Sequence, residues 1–297
     1  MQESIILKNL FVFFPSLPFA LLLIFMLFEI RPSKGFSFDF KELLRFKELF
    51  YFFTWRDIKV KYKQTVLGFA WVILQPLILM TIFTMFFGKV LNHNLPPGIN
   101  YPVFALTGLL FWNLFSTGIS NAGASMILNA NIIKKIYFPR IIIPVSAVLV
   151  SAFDFLITLV LFGAMLVYYG ISPSVFILWM FPAAFLLTLS ATTGLGLLLS
   201  ALTVKYRDFR YIVPFFVQIM LFLTPVIYAD SVVKNEWSRL LMKLNPMTGP
   251  VHLARCGITG LEADPSILLF CVITNVILLF FGFFVFRKTE SYFADIA

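Results

Sequence analysis

The sequence predicts an all-α integral membrane protein: a six-helix transmembrane bundle with a cytoplasmic amphipathic interface helix and short re-entrant helices on the outer side. Three observations carry this. Hydrophobic residues make up 60% and charged residues 12% of the 297-residue chain, against roughly 25% charged in soluble domains, which excludes a soluble globular enzyme. Apolar runs at 66–88, 102–124, 141–169, 175–202, 211–229 and 266–286 each approach or exceed the about 20 residues a spanning helix needs. The Lys and Arg residues also segregate. With 31–63 in the cytoplasm and sides alternating thereafter, the inner stretches 31–63, 130–140, 203–210 and 287–297 hold nine, three, three and two, while the outer ones hold five. That bias orients the chain with its carboxyl terminus inside.

The elements follow in order. Residues 1–36 form a hydrophobic extension; its run Leu10–Phe28, with Pro15 and Pro18, suits a seventh span, a re-entrant hairpin or an interfacial segment. It has no basic leader and no small-residue cleavage site, so a removed signal peptide is not expected. In 37–63, Phe40, Leu43, Leu44, Phe46, Leu49, Phe50 and Phe53 recur at helical spacing among charges, the pattern of a helix lying on the membrane face; an ordinary juxtamembrane linker is the alternative. The six-span domain occupies 64–290 and a cytoplasmic tail 291–297.

Within the spans, polar residues mark faces. On the second, Asn113, Thr117, Ser120 and Asn121 stand at i, i+4, i+7 and i+8, beside Ser116, a stripe that lines either a conduit or a helix contact. Asp154 is the one acidic residue well inside a span, with Ser151 and Thr158 on its face. It reads as hydrogen-bonded to neighbouring helices or as a proton or substrate contact, and no intramembrane Lys or Arg stands ready as its partner. Thr188, Thr192, Gly196 and Ser200 repeat every four residues on the fourth span, small-residue spacing that reads as close packing. Pro76, Pro214 and Pro225 free backbone carbonyls and bend their helices. In the outer loop 230–264, Val233, Trp237, Leu240, Leu241 and Leu244 share one face before breaks at Asn245-Pro246 and Gly249-Pro250, which suits two short helices or a surface loop. Aromatic residues reach 18%; most face lipid or core, although flat rings also suit a conduit for sugars.

Absences narrow the chemistry. No G-x-x-x-x-G-K-[ST] phosphate loop, D-x-D pair or G-x-S-x-G elbow occurs, so the chain is not expected to be an enzyme or to hydrolyse ATP itself. Cys256 and Cys271, His93 and His252 are solitary, so neither a disulfide nor a metal site is expected.

The stretch WRDIKVKYKQTVLGFAWVILQP at 55–76, with NANIIKKIYFPRIIIP at 129–144, KYRDFRYIVPF at 205–215, TPVIY at 224–228 and NPMTGPVHLAR at 245–255, resembles the permease subunits of bacterial ATP-binding-cassette exporters of polysaccharides. The resemblance covers 39–290 and leaves the early segment outside. It implies a homodimer in the bacterial plasma membrane, surrounded by membrane lipid and paired with two copies of a separate ATPase that binds ATP and Mg. The cargo would be a lipid-linked polysaccharide of the O-antigen, capsule or teichoic acid kind, and no nucleic-acid partner is implied. It places the ATPase contact at Asn129, Asn131, Lys134, Lys135, Ile136, Tyr137, Phe138 and Arg140, with Trp55, Arg56 and Asp57 of the surface helix as a second contact. ATP-driven movement of these parts would open a path for which the candidates are Trp71, Gln75, Phe111, Trp112, Asn113, Thr117, Asp154, Gln218 and Tyr228. The outer loop would supply gate helices, with Trp237, Asn245, Pro246, His252 and Arg255. The main rival is a proton-coupled secondary flippase built on Asp154, which calls for more intramembrane ionisable groups and an internal repeat. A membrane-embedded glycan enzyme lacks its catalytic constellation, and a scaffold would not need a polar stripe on the second span.

Overall fold

The computed structural model describes residues 46–63, 68–92, 95–233 and 235–290, and these residues are helical without strands. The order is α1 (Lys47–Lys63), α2 (Gly68–Leu91), α3 (Tyr101–Leu128), the single turn α4 (Ala130–Ile133), α5 (Ile142–Tyr168), α6 (Ile177–Lys205), α7 (Phe209–Leu223), α8 (Glu236–Leu244), α9 (Thr248–Thr259) and α10 (Pro265–Thr289). The N-terminal extension, the first part of the expected surface helix, His93 and the tail from 291 lie outside the described residues.

Five helices, α2, α3, α5, α6 and α10, are long and apolar enough to cross a membrane. The sixth expected run does not form one. α7 stops at Leu223 after 15 residues, about 22 Å of rise against a hydrocarbon core of about 30 Å. Thr224 is already extended (φ −89°, ψ 137°), as the residue before a proline must be when the ring of Pro225 clashes with a helical predecessor. Residues 224–229 continue as non-helical chain.

α3 is the axis of the molecule. It is buried on nearly every face between α5 and α6, and small residues allow the approach. A Cβ at Gly118 would stand 2.3 Å from Thr192 Cγ2, and one at Gly196 2.8 Å from Ala122 Cβ. The expected packing stripe Thr188, Thr192 and Ser200 is accordingly buried, and its threonine hydroxyls bond their own helix carbonyls at Ala184 and Thr188. α10 meets α6 even more closely, since a Cβ at Gly282 would fall 2.0 Å from Gly194 O. α2 is the contrast, for only Pro76 and Met80 of its 24 residues are buried.

Helical rise sets the levels. Tyr101 packs 3.7 Å from the Cβ position of Gly88, so the outer ends of α2 and α3 are level. About 30 Å inward from there lie Gly68 on α2 and Asn121 on α3, and Asn121 donates to Ser151 of α5 at 3.4 Å. The inner ends of α3, α5 and α6 therefore project beyond the hydrocarbon, and Asp154 lies about one turn inside its inner boundary. The sequence places this residue well inside a span because the apolar run at 141–169 begins in the projecting part of α5.

Candidate functional site

A cavity of about 450 Å³ opens between the α1 end, α2, α3 and α5. α2 contributes Gly68, Trp71, Val72 and Gln75; α3 contributes Leu110, Asn113, Leu114 and Thr117; α5 contributes Asp154, Phe155 and Thr158; and Lys61 reaches in from α1. Five of the nine residues expected on the path, Trp71, Gln75, Asn113, Thr117 and Asp154, thus meet in one place. The other four do not join them. Phe111 is buried 5.2 Å from Phe155 and 5.0 Å from Phe181, ring to ring, and Trp112 packs 5.5 Å from Phe115. They follow Leu110 by about 100° and 200° of helix turn, which carries both away from the cavity face and into the core. Gln218 is exposed on α7, and Tyr228 donates to Phe222 O at 3.2 Å in the outer segment. The polar stripe of α3 also divides: Ser120 lines a second cavity of about 330 Å³ with Gly123, Thr203, Arg210 and Pro214.

Asp154 has the partners that sequence reading did not find. Lys61 Nζ ion-pairs with Asp154 Oδ2, and Tyr62 OH donates to Asp154 Oδ1. Tyr62 also packs edge-on to Phe153 at 5.8 Å. Burial, the hydrogen bond and the carboxylate charge all raise the Tyr62 phenol pKa, so it remains a proton donor. The pair escaped notice because Lys61 counts among the cytoplasmic charges of 31–63, 93 residues from its partner. Proximity of α1 to α5 was the missing signal.

The middle of α1 holds the loop between α3 and α5. Arg56 donates to Asn129 Oδ1 at 2.9 Å and pairs with Asp57 at 2.7 Å. Phe53 and Phe138 stack with centroids 5.5 Å apart. Phe138 is thereby an anchor and not part of an outward ridge, because it supplies the apolar floor that α1 covers. Asn131, Lys134, Lys135, Ile136 and Tyr137 are exposed, Tyr137 at 89%. Arg140 donates to Glu290 O at 2.7 Å, tying the loop to the end of α10. Trp55 faces away from the loop, stacked on Tyr51 at 6.2 Å.

At the far end of the bundle from that loop, the two expected short helices exist as α8 and α9. Asn245, buried, donates to Thr224 Oγ1 at 2.9 Å and accepts from Met247 N at 2.9 Å, and Pro246 O accepts from Cys271 Sγ at 3.3 Å. Both cysteines are free and buried. Arg255 is 5% exposed; it donates to Pro225 O (2.6 Å), Val226 O (2.8 Å) and Phe104 O (3.3 Å), and its guanidinium lies 3.4 Å from the Phe104 ring centroid. Pro225 and Val226 lie in the break after α7, where the helical amide donors have ended, and Phe104 belongs to α3. Burial lowers the Arg255 pKa to about 10, leaving it charged at neutral pH. His252 is not solitary. Its Nδ1 lies 2.7 Å from Asp230 Oδ2, Asp264 N–H points at Nε2 at 3.1 Å, and Cys256 Sγ stands 3.6 Å from Nε2. Burial works against the charged ring, but the bonds to Asp230 and Cys256 prevail and push its pKa up to about 10. Nε2 accepts from Asp264 only when neutral and donates to the sulfur when charged, so the two contacts alternate. Trp237, with Leu240, Leu241 and Leu244, is exposed on α8.

Comparison with known proteins agrees with this arrangement. The O-antigen export system permease protein RfbA of Klebsiella pneumoniae is 34% identical over 245 residues, 81% of this chain and 92% of that protein. A protein of the same description in Myxococcus xanthus is 31% identical over 208 residues, 70% of this chain and 78% of that protein. The polysialic acid transport protein KpsM of Escherichia coli is 25% identical over 242 residues, 80% of this chain and 91% of that protein. Residues 48–259, from the surface helix to the end of α9, match the ABC-2 type transporter family, and the chain belongs to that family.

Proposed function

We propose that this chain is the permease subunit of an ATP-driven exporter that moves a lipid-linked polysaccharide outward across the bacterial plasma membrane. The observation that carries the reading is the joining of two features by one helix: α1 holds the exposed basic loop through Asn129 and reaches the polar cavity through Lys61. The cavity offers an indole ring, two side-chain amides and two hydroxyls, groups that contact sugar faces and hydroxyls without strong retention. The printed names of the relatives, O-antigen export permeases and a polysialic acid transport protein, support a glycan cargo.

In this reading Lys134, Lys135, Ile136 and Tyr137 meet a separate nucleotide-binding subunit, which holds ATP and Mg, while Asn129, Arg56, Asp57 and Phe138 carry its motion into the membrane. Asn131 and Arg140 flank that contact. Two copies of the chain pair with two ATPase subunits, and the half-helix α7 with residues 224–229 makes the fifth crossing and α10 the sixth, returning the carboxyl terminus to the cytoplasm. α8 and α9 guard the outer exit. A proton-coupled flippase centred on Asp154 finds less support, because Lys61 already compensates that carboxylate and the relatives named above are export permeases or transport proteins of glycans.

The test is co-purification with the nucleotide-binding protein encoded beside this chain, comparing wild type with Lys134→Glu/Lys135→Glu. A complex that hydrolyses ATP and that charge reversal dissociates or uncouples is the expected result. A wild-type permease that brings down no ATPase would sink the proposal.

A further inference from the structure

We infer that the Lys61–Asp154–Tyr62 cluster is the positioning device through which the surface helix controls the cavity, and that cargo hydroxyl groups are the donors that release it. The inference rests on the exporter reading and deepens it. The middle of α1 is fixed to the loop by Arg56 to Asn129 and Phe53 to Phe138. At its C-terminal end Lys61 and Tyr62 grip the two oxygens of Asp154. Six residues after Tyr62 begins the opposite cavity wall, where α2 presents Gly68, Trp71, Val72 and Gln75.

The two walls differ in how firmly they are held. α5 and α3 belong to the buried centre of the molecule, whereas α2 buries only Pro76 and Met80 fully, with Leu77, Leu79 and Phe83 partly buried against the core. A force on the loop that displaces α1 therefore moves α2 against a fixed α3 and α5, and the Asp154 cluster spans that joint. With Lys61 in place the carboxylate is compensated and the walls are held together.

Withdrawal of α1 takes both donors from Asp154 at once, leaving a carboxylate one turn inside the hydrocarbon. An unpaired charge there is strongly disfavoured, so the joint stays shut unless other donors replace the departing pair. Sugar hydroxyls in the same cavity supply them: Asp154 and Thr158 line the space that Trp71 and Gln75 face. A cargo that bonds Asp154 only after Lys61 has left binds the open state better than the closed one, which is the condition for a ligand to shift that equilibrium. ATP use is thereby tied to a loaded cavity.

The experiment uses the permease reconstituted with its ATPase and its lipid-linked glycan, measuring ATP hydrolysis with and without glycan, and glycan moved per ATP. Lys61→Met and Asp154→Asn are expected to keep the ATPase bound, to hydrolyse ATP regardless of glycan, and to move on the order of tenfold less glycan per ATP, the range of site-to-site coupling. The exchange Lys61→Asp/Asp154→Lys is expected to restore glycan-dependent hydrolysis. Spin labels at Val60 and Val160, both exposed, read the joint without altering it, and their separation is expected to grow when ATP binds in the loaded wild-type complex. Wild-type transport per ATP in both single variants, or a label separation that stays constant through the cycle, overturns the inference. Failure of any ATPase to bind the wild-type permease overturns the exporter reading instead.

Discussion

At the scale of single residues, Arg255 stands in for the backbone. Its guanidinium bonds three carbonyls at 2.6, 2.8 and 3.3 Å, two of them from the broken end of the fifth crossing. Removing it leaves buried acceptors without donors and a pocket without its charge. Arg255→Met is expected to destabilise the protein by about 3 kcal/mol, measured by thermal unfolding in detergent, and Arg255→Lys to recover little, since a compact ammonium on a flexible stem lacks the planar fork that spans these oxygens. His252 makes the second prediction. Its pKa is raised from 6.5 to about 10 by Asp230 and Cys256 against the effect of burial, so the stabilisation is fully present below pH 6.5, diminishes as pH climbs, and is gone above about pH 10. The stability gap between wild type and Asp230→Asn should therefore be wide at pH 6 and narrow toward pH 10; a gap that widens with pH would contradict the pairing. Neither residue announced these roles in the sequence. Arg255 read as one more outer-loop charge, and His252 as solitary, because Asp230 stands 22 residues from His252 and Phe104 stands 151 residues from Arg255.

At the scale of elements, helices whose apolar runs exceed a bilayer's thickness were legible from composition, and the small-residue repeat on α6 was legible as packing because four-residue spacing of Thr and Gly has few other uses. The tightest case is Gly282, where an added Cβ would land 2.0 Å from the Gly194 carbonyl oxygen. Gly282→Ala is expected to push α10 off α6 and cost about 2 kcal/mol or more, while Gly163→Ala, whose Cβ position has nothing within 4 Å, should be neutral or slightly stabilising through better helix propensity; paired melting curves decide this. The broken α7 was half legible. Thr224-Pro225 signals a stop, but apolar content alone continues to 229 and hides it. Phe111 and Trp112 show the converse limit, since one helix's aromatic residues cannot be sorted into core and cavity without knowing which neighbours cover each side.

At the scale of the whole molecule, the charge bias and the cavity agree on a common direction. The loop with Lys134 and Lys135, the surface helix and the cavity's Lys61 lie toward one end, and the α8–α9 cap with its Arg255 and His252 contacts lies at the other. Five of the nine candidate path residues line one cavity, and four of them, Gln75, Asn113, Thr117 and Asp154, are polar side chains of the kind that are costly in spans and so seldom idle. What escaped was depth: Asp154 sits near the inner boundary because α3, α5 and α6 run past the membrane, and no hydropathy window distinguishes an apolar helix in lipid from one buried in protein beyond it.

The shallow rooting of α2 has a consequence for how such a permease diversifies. A helix that buries two side chains fully and Leu77, Leu79 and Phe83 in part leaves more of its length open to substitution than α3, enclosed on nearly every face. Selection acting on a new surface polymer can thus rewrite Trp71, Val72 and Gln75 without renegotiating the scaffold, and lineages that change their glycan coat should accumulate differences in that one stave sooner than in the three helices behind it.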